Sequence, residues 1–254
     1  MQFCLELAFG VLLALAFVPK APVGVMFYRV MGTSAVFPVL VAIAVPISSG
    51  ARTMEDEVLL FSLLAVLTYP VYSGPVRGAR WALGLGLALL GTGVAVGMLV
   101  HQSAGSSQPL EVALATTTAL TTGTVAGSVG LAMVLGHWYL TVPNLSVHHL
   151  VRLNRVTVVS MASALALVAL SCFLFRERLS EARYPLFEAT GLFYLSTRVA
   201  VGLLIPLVFA AMAASALRFQ NTRSATGILY ASTVLVLIGT AVSVTLQDSY
   251  GIPL

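Results

Sequence analysis

Apolar runs of about 20 residues or more, separated by short charged connectors, recur along the whole chain. Helices of that length cross the hydrocarbon core of a bilayer. Within lipid each segment must also satisfy its own backbone hydrogen bonds, so the pattern demands membrane-spanning helices. Composition points the same way: of 254 residues, 59% are hydrophobic and 9% are charged, where a soluble domain carries roughly a quarter charged residues. The expected fold class is all-α, a polytopic integral membrane protein with one transmembrane domain over residues 1–254.

The first stretch, MQFCLELAFGVLLALAFVPK, lacks a basic n-region and a small-residue cleavage site, so it reads as a retained span. Charge, Pro and Gly clusters then divide the chain into eight transmembrane helices near 3–18, 30–48, 57–72, 80–100, 112–138, 155–175, 187–214 and 225–247. Connectors between spans 1–2, 3–4, 5–6 and 7–8 hold Lys20, Arg29, Arg77, Arg80, Arg152, Arg155, Arg218 and Arg223, with no acid. The opposite side holds the acids, namely Glu6, Glu55, Asp56, Glu57, Glu111, Glu177, Glu181, Glu188 and Asp248, with Arg52, Arg176, Arg178 and Arg183. By the positive-inside rule the arginine-only connectors are cytoplasmic, and both termini lie outside a bacterial inner (plasma) membrane. The net charge of +4 is distributed as pairs at helix ends. That distribution suits anionic membrane lipids as partners and argues against nucleic acid.

Arg80-Trp-Ala-Leu-Gly84 and Arg223-Ser-Ala-Thr-Gly227 open the fourth and eighth spans, and Arg29-Val-Met-Gly-Thr-Ser34 and Arg155-Val-Thr-Val-Val-Ser160 open the second and sixth. These pairs fit two four-helix bundles as repeat halves, 1–105 and 106–254. They also fit the ordinary recurrence of interfacial arginine and small residues. Gly93-x-x-x-Gly97 and Gly123-x-x-x-Gly127 permit close helix approach, and the fifth span adds Thr116, Thr117, Thr118, Thr121, Thr122, Thr124 and Ser128. That span is therefore expected at the centre, either as a packing seam or as the wall of a polar cavity.

One charge sits at depth: Arg198, about eleven residues into the seventh span. In hydrocarbon its guanidinium must meet an acid, carbonyls, water or an anionic ligand. Glu6 is nearest in depth, with Glu188 and Glu57 close to the same face. The pair is read either as a structural ion pair or as a functional site.

Three of the four histidines fall in GHWYLTVPNLSVHHL, residues 136–150. His101 ends the fourth span on the outer side and His137 the fifth on the inner side, so they cannot share one haem iron. His148 and His149 are placed in the connector, where no Asp, Glu or Cys accompanies them, and no metal site is expected. Cys4 and Cys172 lack CxxC or CxxCH spacing, which leaves covalent haem, zinc ribbons and iron–sulfur ligation unsupported; buried free thiols are preferred to a disulfide. Asn144-Leu-Ser146 is a glycosylation sequon on the wrong side of the membrane for use. His137, Trp138 and Tyr139 either anchor the helix at headgroup level or form a quinone pocket, with His and Tyr donating to the quinone carbonyls and Trp covering the ring. No residue set marks a catalytic centre.

Gly136-His-Trp-Tyr-Leu-Thr-Val-Pro143, Ser224-Ala-Thr-Gly-Ile-Leu-Tyr230 and Tyr250-Gly-Ile-Pro-Leu254 resemble a group of bacterial eight-helix membrane proteins with a GHWYL motif. That resemblance implies a fold and a membrane, and no activity. At the level of architecture the chain is distantly similar to the membrane anchor subunits of the NrfD/DmsC type. Their eight helices form two bundles that exchange electrons between quinone and a partner iron–sulfur protein without haem of their own. The expectation this gives is a haem-free subunit of a respiratory or electron-transfer complex, with quinone as a non-covalent cofactor and a hydrophilic redox subunit or other membrane subunits as partners. Two other classes stay open: a small-solute or ion transporter using Arg198 and the threonine face of the fifth span, and a structural or assembly subunit.

Overall fold

The computed structural model describes residues 1–18, 23–47, 63–64, 67–68, 70, 78–104, 108–142, 145–182, 185–252 and 254. Most of the expected third span lies outside the described residues, as do Lys20, Arg52, Glu55, Asp56, Glu57, Arg77, Pro143, Asn144 and Arg183. The regular structure among the described residues is helical throughout: α1 (Gln2–Ala16), α2 (Val25–Ser34), α3 (Val36–Ile47), α4 (Ala79–Ala104), α5 (Pro109–Thr141), α6 (His148–Leu174), α7 (Arg176–Ser180), α8 (Ala189–Ser196), a π-helical segment (Thr197–Leu204), α9 (Ile205–Arg218) and α10 (Thr222–Tyr250). Five helical runs are long and apolar enough to cross a bilayer: α4, α5, α6, the continuous run from α8 through the π segment to α9, and α10.

Local chemistry explains where the elements start, stop and bend. The expected second span is broken between Ser34 and Val36. Pro38 has no N–H for the Ser34 carbonyl, and its ring crowds that same carbonyl. Pro109 opens α5, where its missing donor costs nothing, and Glu111 complements the positive helix end. Asn221 caps α10 by accepting from the Ser224 N–H, and Gly251 ends it at φ 62°, a left-handed conformation that glycine adopts freely.

α6 begins at His148, so His148 and His149 are its first two residues and not part of a connector. The expected start at 155 was set by the Arg152 and Arg155 charges, yet Leu150 and Leu153 are fully buried. Long arginine stems let the charged heads leave an apolar surface without ending the helix.

α5 is the central element, packing along α1, α4, α6 and α10. Its Gly123-x-x-x-Gly127 stripe faces α1: a Cβ at Gly123 would stand 2.2 Å from the Glu6 carbonyl oxygen, and one at Gly127 2.0 Å from the Gly10 carbonyl carbon. The two backbones touch, which only paired glycines allow. On the other side, the Thr157 hydroxyl donates to the Ser128 oxygen at 3.1 Å and fixes the register of α5 against α6. At the arginine-bearing end an aromatic cluster joins α2, α4 and α5: Phe27 meets Trp138 edge-on at 5.4 Å, and Tyr28 meets Trp81 at 6.0 Å. At the opposite end Leu179, Leu186, Leu246, Ile252 and Leu254 form a separate apolar cluster. There Arg178 pairs with Glu111 at 3.2 Å.

Candidate functional site

α1, α5, the π-helical segment and α10 bring six polar side chains into one buried region. Arg198 is 0% exposed and Glu6 1%, and Gln2, Thr118, Thr122 and Gln247 are buried with them. Arg198 donates one Nη to the Thr122 hydroxyl at 2.8 Å and the other to the Gly239 carbonyl at 3.4 Å. Glu6 accepts from the Gln2 amide at 2.8 Å, and the same amide nitrogen donates to Gln247 at 2.9 Å.

Glu6 and Arg198 are thus brought within electrostatic range of each other. They are not in direct contact. Among the described residues the one close ion pair is Arg178–Glu111. Glu6 Oε2, Arg198 Nε, Gln247 Nε2 and Thr118 Oγ1 are buried without a hydrogen-bond partner. An unpaired buried polar atom costs about 1–3 kcal/mol, and more when it belongs to a charged group. Four of them in one region carry a strong drive toward a further polar species.

The depth of this layer follows from the helix lengths. At 1.5 Å per residue, Thr122 lies about 20 Å from the Pro109 end of α5 and about 28 Å from Thr141. Arg198 lies about 14 Å from Ala189 and about 30 Å from Arg218. Helices of these lengths, crossing a hydrocarbon core roughly 30 Å thick, would hold the charges away from both surfaces, nearer the Glu111 end.

The π-helical segment that presents Arg198 has a local cause. Pro206 follows it, and proline offers no N–H to the preceding turn. The Ile205 N–H accordingly reaches back five residues to the Ala200 carbonyl, the wider pattern of a π-helix, which recurs at functional sites. Gly202 then lies directly on Gly239, where an added Cβ would stand 2.6 Å from the Gly239 Cα. This contact brings the Gly239 carbonyl within reach of Arg198.

His137, Trp138 and Tyr139 diverge, as consecutive helical positions about 100° apart must. His137 is exposed, with its Nδ1 3.3 Å from the Tyr230 hydroxyl on α10. Trp138 packs on Phe27 of α2. Tyr139 turns inward and donates to the Ser146 carbonyl, tying down the α5–α6 connection. The three share no common partner.

The threonine face of α5 divides in a similar way. Thr117, Thr121 and Thr124 return their protons to carbonyls one turn back on their own helix, while Thr122 accepts from Arg198 and Thr118 stays unpartnered. Cys4 and Cys172 are free. Among the described residues no three His, Cys, Asp or Glu side chains gather as a metal site would require.

Gln2, Gln247 and Gly239 complete the layer but carry no sequence signal, because amides and glycines recur throughout such chains. Pro206 is the one readable cue: a proline eight residues after a buried arginine marks where the helix cannot be regular. Comparison with protein-family models, with curated proteins and with solved structures finds no match to the chain.

Proposed function

We propose that the chain is an eight-span protein of the bacterial inner membrane, both termini outside, that moves a small monovalent anion coupled to protons. Glu6 and Arg198 form its coupling site. One observation carries this reading: a fully buried guanidinium on a π-helical turn lies within electrostatic range of a buried carboxylate, and each has an unpartnered atom. Ionisable groups at such depth are costly and mark ion paths or proton relays.

The chemistry is direct. With Glu6 ionised the pair is neutral. Protonation of Glu6 leaves Arg198 as a net positive charge with its Nε–H free to donate, which favours an anion. Release of the proton removes that preference, so the two species move together.

The test is reconstitution of the purified protein alone into liposomes, with chloride, nitrate and acetate as probe anions and a pH-sensitive dye inside. The wild type should move at least one of them about ten-fold faster than protein-free vesicles. Glu6→Gln should retain anion movement but lose its proton coupling. Rates no higher than those of empty vesicles for all three anions would refute transport.

A second reading, a haem-free quinone-interacting subunit of a redox complex, draws on the His137–Tyr230 pair, whose polar atoms lie side by side at the end of α5. Native purification with a co-eluting cofactor-bearing subunit and extractable quinone would favour it over transport.

A further inference from the structure

A second feature stands apart from the charged layer and does not depend on the transport reading. α1 and α6 each pack along α5 but have little contact with one another. Between them opens a cleft of about 520 Å³ whose lining includes Leu13 and Phe17 of α1, Thr121 and Thr124 of α5, and a stripe of α6. That stripe runs Arg152, Arg155, Val156, Val159, Ser160, Ser163, the spacing of a single helix face about 16 Å long.

The cleft is strongly polarised along its length. Both guanidinium groups stand at one end, and among the described residues neither has a carboxylate partner. His149 adds a further imidazole within electrostatic range of Arg152. Deeper in, Thr121, Thr124 and Ser160 donate their hydroxyl protons to carbonyls of their own helices, so that wall presents methyl groups and satisfied oxygens beside Leu13, Val156 and Val159, while Phe17 lies nearer the arginine end. The register set by Thr157 and Ser128 puts Arg155 level with Gly130, roughly 12 Å below Trp138 along α5. Two exposed cations with no carboxylate partner among the described residues suit an anion at that end of the groove, and the apolar wall beneath them suits an apolar chain.

We infer that this cleft binds one anionic phospholipid, its phosphate held by Arg152 and Arg155 and an acyl chain lying along Val156, Val159 and Leu13. Guanidinium groups form paired hydrogen bonds to phosphate oxygens, and a volume of this size falls in the range of small-molecule sites, about 300–1,000 Å³.

The test uses the full chain purified in mild detergent, with native mass spectrometry after addition of phosphatidylglycerol or phosphatidylcholine. The wild type should retain a single phosphatidylglycerol at least ten-fold more than phosphatidylcholine. Arg152→Gln with Arg155→Gln should abolish that preference, whereas Arg218→Gln with Arg223→Gln, a pair outside the cleft, should keep it. Val159→Trp fills the groove from an exposed position and leaves both arginines in place, so it provides the check if the double arginine variant misfolds; it should lose the lipid too. Inorganic phosphate at millimolar concentration should fail to displace the lipid. Equal retention of the two lipids, equal loss in both arginine pairs, unchanged binding in Val159→Trp, or full displacement by phosphate would each overturn the assignment.

Discussion

Replacing Gly123 by alanine tests the packing that positions Glu6. The new Cβ would stand 2.2 Å from the Glu6 carbonyl oxygen and 2.8 Å from its carbon, and ordinary contact begins near 3.4 Å. α1 must therefore retreat by the difference, about 1.2 Å, along a contact made of backbone on both sides, with no flexible side chain to yield. Overpacking of this kind costs about 1–3 kcal/mol. Gly130, two turns along the same helix, is the matched control, since nothing lies within 4 Å of its added Cβ. There the exchange should gain up to about 1 kcal/mol from helix propensity. The two variants differ by one methyl each on one helix, yet should separate by roughly 1–4 kcal/mol. Thermal unfolding in detergent, followed by loss of the monodisperse chromatographic peak, reads the separation as a difference of several degrees. A Gly123→Ala protein as stable as Gly130→Ala would refute the backbone contact between α1 and α5, and with it the placement of Glu6.

Three further outcomes follow from the same structure. Arg198→Leu and Glu6→Leu should each lower the unfolding temperature because each leaves the other ionisable group buried without the opposite charge near it, while the double variant should cost clearly less than their sum; strict additivity in a thermal double-mutant cycle would show that the two do not interact. Gly202→Ala drives a Cβ to 2.6 Å from the Gly239 Cα and should lower the unfolding temperature and impair anion movement, whereas Gly227→Ala, with open space around it, should do neither. Tyr139→Phe removes the hydrogen bond to Ser146 and should cost about 1 kcal/mol, but His137→Ala at an exposed position should cost within about 0.5 kcal/mol; the reverse order by thermal unfolding would mean that His137 has a structural role its geometry does not show.

The membrane class, the central place of the threonine-rich helix and the depth of Arg198 were legible because each follows from counting: apolar length, small-residue spacing, distance from a helix end. What was not legible depended on direction. Consecutive residues such as His137, Trp138 and Tyr139 look like a cluster in one dimension and scatter around a helix in three. Residues 2, 6, 122, 198, 239 and 247 look unrelated in one dimension and form two adjoining hydrogen-bonded sets, 122–198–239 and 2–6–247. Helix ends were misplaced where charge was taken as a stop signal: Arg152 and Arg155 lie inside α6 because their side chains, not their backbone, seek the membrane surface.

Of the alternatives posed for α5, the packing seam is seen where Gly123 and Gly127 meet α1. Gly123 and Gly127 abut the α1 backbone, while Thr122, next to Gly123, accepts from Arg198. Because positions 122 and 123 are adjacent, the contact that fixes α1 also fixes how far the Glu6 backbone stands from the hydroxyl that holds Arg198. Gly202 and Gly239 set the other side of the layer in the same way, since their contact brings the Gly239 carbonyl to the guanidinium. Two glycine contacts therefore hold the charges close enough to interact while Oε2 of one and Nε of the other stay unpartnered. A protein selected only to pack its helices would gain by closing that gap into a bidentate ion pair, because a direct pair satisfies both groups at once. Backbone contacts that rigid hold the carboxylate and the guanidinium apart, which is the arrangement the proposed coupling site needs.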